Sequence, residues 1–299
     1  QHMESGTANL LHMLHDRVRQ LCQAGRWDEA KNTAGAAVDK ARSEYQQDAE
    51  NIDELSFSLE VQGDFYRQYG NLEEARKSYF EALDLLKGED IQTEAMARLS
   101  ASVAVVYETD GNTDEAVTFY KRSIELFERM DPPSAIDIAS LCNNLAYIYK
   151  SCGDFDAAET LYLKALELYN EQLGSEDEET AAICNNIGAL YLAAGCYDQA
   201  REMFVMALDA RQKVFGDKHL ETAQAHANLA VALSHTGEDG WAKENYQTSL
   251  KIYEEKVKDA PMDYATVSAN FAEFLRSHDD AKTAASVEKR ASKMLKKAH

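Results

Sequence analysis

Six glycines stand at near-even intervals along this chain of 299 residues, and each is followed five places later by alanine: Gly25/Ala30, Gly70/Ala75, Gly111/Ala116, Gly153/Ala158, Gly195/Ala200 and Gly237/Ala242. A seventh copy has Asp279 for the glycine, with Ala284. The intervals are 45, 41, 42, 42, 42 and 42 residues. So regular a period points to a repeat architecture, because a short unit cannot bury an apolar face alone and must stack on its neighbours.

Other positions keep the register. Four residues before each turn stand Leu21, Tyr66, Tyr107, Tyr149, Tyr191, Leu233 and Leu275. Seven before it stand mostly small residues: Gly63, Ala104, Ala146, Gly188, Ala230 and Ala272. Four after the alanine come Tyr79, Tyr120, Tyr162, Phe204 and Tyr246, and seven after it Ala37, Ala82, Ser123, Ala165, Ala207, Ser249 and Ala291. Large residues at i, i+4 and i+7 make one apolar helical stripe, and small residues mark close helix contacts. A glycine suits the left-handed cap that ends the first helix of each unit. Each unit therefore reads as a helical hairpin, and the fold as all-α. The three prolines, Pro132, Pro133 and Pro261, fall between units, where helices must end, as do Gly88, Gly174 and Gly216.

The register resembles the tetratricopeptide repeat over nearly the whole chain, with 42 residues in place of the usual ~34. HEAT and armadillo repeats have similar periods but lack this pattern of glycine, alanine and tyrosine. The stretch "LCNNLAYIYKSCGDFDAAETLYLKALELYNEQLGSEDEETA" from Leu141, and "FGDKHLETA" at Phe215–Ala223 with Leu220 where proline is usual, look more specifically like the repeats of kinesin light chains and their bacterial relatives. The resemblance implies a right-handed superhelical solenoid of about seven hairpins, with the first helix of each lining a concave groove. We expect the solenoid over residues 4–281, with turns near 25, 70, 111, 153, 195, 237 and 279, and a basic C-terminal capping helix over 282–299. Gln1-His2-Met3 reads as an expression scar.

Nine residues before the turn, four consecutive units carry asparagine: Asn144, Asn186, Asn228 and Asn270. Asn143 and Asn185 double the row in two of them. By the resemblance, these side chains face the groove. A carboxamide offers both donors and an acceptor, so such a row can hold an extended peptide backbone without reading its sequence. Alternatively, the asparagines bond neighbouring helices. Around them Ala182, Ala189, Leu192, Ala193, Ala227 and Val231 read either as a floor for an apolar anchor or as places where helices approach. Tyr147, and at the edges Lys150, Arg98 and Arg276, complete the expected peptide-binding groove. Arg67, Glu60, Asp64, Glu108 and Glu273 leave its charge near neutral.

The net charge of −21 argues against nucleic acid as a partner. No apolar run approaches the ~18 residues of a membrane span. The five cysteines lack metal-site spacing and suit reduced thiols in a cytoplasmic protein. No nucleotide-binding, metalloprotease or nucleophile motif is present, so we expect no catalytic residue, metal or cofactor. His226 shares a repeat position with Cys142 and Cys184 and reads as packed between helices.

From Lys282 to His299 the chain has six basic residues and one acidic. Lys289, Arg290, Lys293, Lys296 and Lys297 flank an apolar stripe of Val287, Ala291, Met294, Leu295 and Ala298. This segment either caps the last repeat or makes a basic contact with an acidic protein or an anionic membrane. Two functions follow: a non-enzymatic scaffold or adaptor holding a partner's extended segment, or a cytoskeletal accessory bound to a tubulin-like filament, as the resemblance to bacterial kinesin light chains implies.

Overall fold

The turn glycines do what the register requires. Gly25, Gly70, Gly111, Gly153, Gly195 and Gly237 all take positive φ, between 68° and 88°. In each case the next residue donates its backbone N–H to the register residue four before the turn: Arg26 to Leu21, Asn71 to Tyr66, Asn112 to Tyr107, Asp154 to Tyr149, Cys196 to Tyr191 and Glu238 to Leu233, at 2.8–3.0 Å. This closes an orphan carbonyl at the helix end and reverses the chain within two residues. The seventh turn does the same with a side chain present: Asp279 has φ 59°, and Asp280 donates to Leu275 at 2.9 Å.

The computed structural model describes residues 4–88 and 93–298; the tripeptide read as an expression scar lies outside the described residues. Among these there are fourteen α-helices and no strand: α1 (Glu4–Gln23), α2 (Trp27–Gln47), α3 (Ile52–Tyr69), α4 (Leu72–Leu85), α5 (Thr93–Thr109), α6 (Thr113–Glu128), α7 (Ala135–Ser151), α8 (Phe155–Leu173), α9 (Glu178–Ala193), α10 (Tyr197–Phe215), α11 (Leu220–His235), α12 (Asp239–Glu255), α13 (Pro261–Ser277) and α14 (Ala281–Ala298). Each pair flanks one register turn, so odd helices are first and even helices second. The chain forms two compact units, one through Leu141 and one from Cys142.

Both units are built alike. The register alanine is the first residue of each second helix to make an in-helix bond, and all seven copies are fully buried. The aromatic one turn further on is also buried, from Tyr79 in the first unit to Tyr162, Phe204 and Tyr246 in the second. The small residue of the first helix makes room for that ring. A Cβ on Gly63 would lie 2.5 Å from the Tyr79 ring, and one on Gly188 2.6 Å from Phe204. Serine replaces alanine at Ser123 and Ser249, and there the buried hydroxyl donates to a first-helix carbonyl, Ala97 or Ala223, at 2.7 Å. A buried hydroxyl needs such a partner, and this one also pins the two helices of a hairpin.

In the first unit, one core joins Leu55, Leu59, Tyr79, Leu83, Leu99 and Val103, and a second joins Val18, Leu21, Val61 and Phe65. In the second unit, a core runs from Phe204 through Tyr246, Tyr264 and Phe271 to Ala284 and Ala291 of α14. Val287, Met294 and Leu295 pack on it half-buried. The basic segment from residue 282 is thus the second helix of the seventh hairpin, with its apolar stripe against its own repeat. No described helix is long and apolar enough to cross a membrane.

Candidate functional site

In the second unit the paired asparagines meet across helices. Asn186 of α9 donates its Nδ2 to Oδ1 of Asn143 on α7 at 2.9 Å. Asn228 of α11 donates to Asn185 on α9 at 2.7 Å. Asn143 in turn lies 3.4 Å from Asn144 Oδ1. Each rung links residues 43 apart, one more than the period, so partners sit at adjacent rather than equal register positions. All five side chains are half-buried. A carboxamide has two N–H donors and two acceptor lone pairs. One donor of Asn186 and of Asn228 is spent on the rung, and the rest stays available at a fixed position.

The row ends at the next step. Forty-three residues before Asn270 stands Ala227, which has no acceptor. Asn270 on α13 is exposed and lines a cavity of about 390 Å³ between α11 and α13. Glu273, Phe274, Ser277, Ser234 and His235 line it too. The hydroxyls of Ser234 and Ser277 donate to Val231 and Phe274 carbonyls at 2.7 Å, which spends their protons, and Ser277 Oγ also lies 3.0 Å from His278 Nδ1. His235 stacks on Tyr197 at 4.2 Å between ring centres. His278 donates from Nε2 to the Asp239 carboxylate at 3.1 Å and faces the Phe274 carbonyl at 2.7 Å on Nδ1. These two acceptors, the carbonyl first, raise its basicity. Sequence reading selected Asn270 but not Ser234, His235, Tyr246, Ser277 or His278 around it. The 43-residue offset is the signal that separates Asn270 from its equivalents.

The remaining expected groove residues divide. Tyr147 on α7 is 56% exposed, and Lys150 one turn on is half-buried, its ammonium pulled below the usual range by burial. Leu192, Ala189 and Val231 pack against the core of the second unit. Arg98 belongs to the first unit. There it holds the buried Glu60 through two bonds of 3.2 Å, with Glu94 at 3.1 Å, so its charge compensates a carboxylate instead of standing free. Burial pushes the Glu60 carboxyl up and Arg98 draws it back. Arg276 points to Glu288 on α14 at 2.5 Å. Of the expected basic contact, Arg290 is tied to Glu254 on α12 by bonds of 2.7 and 2.6 Å, whereas Lys289, Lys293, Lys296 and Lys297 are exposed. His226 meets Asn245 of α12 at 2.7 Å.

None of the five cysteines is in a disulfide, and Cys22, Cys142 and Cys184 are buried. Among the described residues no group of three or more histidine, cysteine or acidic side chains is placed to hold a metal ion.

Family descriptions of the tetratricopeptide repeat match residues 137–195 and 179–255 and 97–129. No curated protein sequence matches the chain. Among solved structures, BtubC (BKLC) from P. vanneervenii is similar with a TM-score of 0.67 at 24% identity, covering 76% of this chain and 90% of that one. A putative kinesin light chain from Podosopora anserina, with nearly identical tetratricopeptide-like repeats, gives 0.58 at 18% identity over 67% and 94%. The apo form of RapI gives 0.62 at 15% over 81% and 99%. These likenesses establish the fold.

Proposed function

The chain is a tetratricopeptide-repeat protein, with repeats resembling those of kinesin light chains, and on that premise we propose that it is a protein-interaction scaffold. It holds an extended segment of a partner along the first-helix face of the second unit. The observation that carries this reading is the asparagine row. Rungs at Asn143–Asn186 and Asn185–Asn228 fix the carboxamides and leave unspent donors and acceptors beside the exposed Tyr147. Groups already held in place lose little entropy when a ligand arrives. An extended backbone presents an N–H and a C=O at each residue for them to bond. The role is one of binding and not of catalysis, and a cytoplasmic setting suits five cysteines of which none is in a disulfide.

The exposed lysines of α14 favour a second reading, a contact with an acidic surface such as a tubulin-like filament. Insertion of α14 in a membrane is disfavoured, since Ala284 and Ala291 would have to leave the core. An array of extended peptides probed with the full chain tests the first reading. Combined Asn144→Ala and Tyr147→Ala should weaken array binding about tenfold or more at unchanged Tm. Unchanged array binding in that variant, with filament co-sedimentation lost on reversing Lys289, Lys293, Lys296 and Lys297 to glutamate, would instead establish the second.

A further inference from the structure

We propose that the cavity between α11 and α13 is a receptor for an arginine side chain of the bound segment; this rests on the scaffold reading above and adds a chemical preference to it. The argument comes from comparing the cavity with its counterpart at the same register positions in the first unit. There, between α1 and α3, a cavity of about 260 Å³ is lined by Arg19, Val61, Asp64 and Phe65 among others. Counted from the turns, Val231, Asn270, Glu273 and Phe274 hold the same positions in the second unit.

The acid in the first cavity is well supplied. Asp64 accepts the Tyr79 hydroxyl at 2.6 Å and lies 3.6 Å from Arg67, and Arg19 lines the same space. Each of these three is missing for Glu273. Val231 replaces Arg19. Glu288 stands at the register position of Tyr79, and Arg276, the equivalent of Arg67, turns to it. Glu273 is left exposed, with neither hydrogen bond nor ion pair.

Beside Glu273, in a lining that also holds His278 and the Tyr246 phenol, three further oxygens ask for donors. The Ser234 and Ser277 hydroxyl protons are spent on their own helices, and Asn270 adds a free carbonyl oxygen. A carboxylate with these acceptors beside it suits a planar cation with five N–H donors better than a backbone amide. Phe274 and Tyr246 supply apolar wall for the methylene stem.

The probe is the pentapeptide Ac-Ala-Ala-Arg-Ala-Ala-NH2, titrated into the isotope-labelled full chain by NMR against its citrulline analogue, which keeps the shape and loses the charge. The arginine peptide should bind about tenfold tighter and shift the Asn270 side-chain amide. Glu273→Gln should erase the preference. Val231→Arg, which restores the first unit's arrangement, should block the site. Both changed side chains line the cavity, so the fold is retained. Equal binding of the two peptides, or a preference that survives Glu273→Gln, overturns the arginine receptor; if both peptides still shift α7 and α9 resonances, the scaffold reading stands. Peptides that shift nothing on α7, α9, α11 or α13 overturn both.

Discussion

Asn186 reaches back to Asn143 across 43 residues of sequence, and Asn228 repeats the bond on Asn185. Because a rung satisfies groups that are half-buried, its removal costs stability. Asn143→Ala should destabilise the chain by ~1 kcal/mol. In a double-mutant cycle with Asn186→Ala the two changes should couple by ~0.5–1.5 kcal/mol. Additive losses in urea unfolding would show that the rung contributes nothing.

His15 gives the first unit a pH dependence with a defined sign. It is 1% exposed, and its Nε2 lies 2.8 Å from the Ser58 hydroxyl. Ser58 spends its only proton on the Glu54 carbonyl at 2.7 Å, so Nε2 must be the donor. Nδ1 is then a buried atom with no partner, and protonating it would create a donor with nothing to bond. Burial, with His12 and Arg19 adding to it, lowers the imidazole pKa to about 4. The unfolded chain protonates this group near 6.5. Between those values the unfolded state binds more protons, so stability falls as pH drops through the window, by about 3 kcal/mol in total. Urea midpoints between pH 7 and 4 should show this loss, and His15→Gln should remove most of it.

Asp279 holds the left-handed turn that glycine holds six times, and its side chain is exposed. An L-residue is strained there. Asp279→Gly should raise stability by roughly 0.5–1 kcal/mol, less whatever the freer unfolded chain takes back. A lower Tm would mean that the aspartate contributes more than its backbone costs.

Arg211 is 6% exposed at a register position that Phe127, Tyr169 and Tyr253 fill in other hairpins. It bonds the Glu221 carbonyl at 3.2 Å and Gln224 at 3.1 Å, with the Glu221 carboxylate at 3.0 Å. Burial pulls the guanidinium below its usual range. Arg211→Tyr should be neutral or stabilising by ~1–2 kcal/mol, since Glu221 can turn to water. Arg211→Ala should cost ~2–4 kcal/mol through the cavity it leaves. Thermal unfolding of the two variants checks the contrast.

The hairpins were legible in the sequence because their determinants are local. Gly153, Asp154 and Tyr149 fix one turn by φ and two backbone atoms, whatever surrounds them. The asparagine row was visible as a repeated letter, but its bonds were not. Which carboxamide meets which depends on how far one helix slides along the next, and that slide gives an offset of 43 where the period suggests 42. Arg98 and Arg276 looked alike in sequence as groove-edge cations. What sets their roles is Glu60 on another helix and Glu288 on the next, pairings that exist only after packing.

The glycine clearances in α3 and α9 bear on the repeats as parts. Where Gly63 and Gly188 stand, the facing ring occupies the volume that the methyl of Ala104, Ala146 or Ala230 fills in other hairpins with a register aromatic. Two ways of seating the same aromatic thus coexist in one chain. Repeats that look interchangeable on paper are matched pairs of helices, and a shuffled or averaged array that joins an alanine first helix to the second helix of a glycine hairpin would put a methyl group inside a ring.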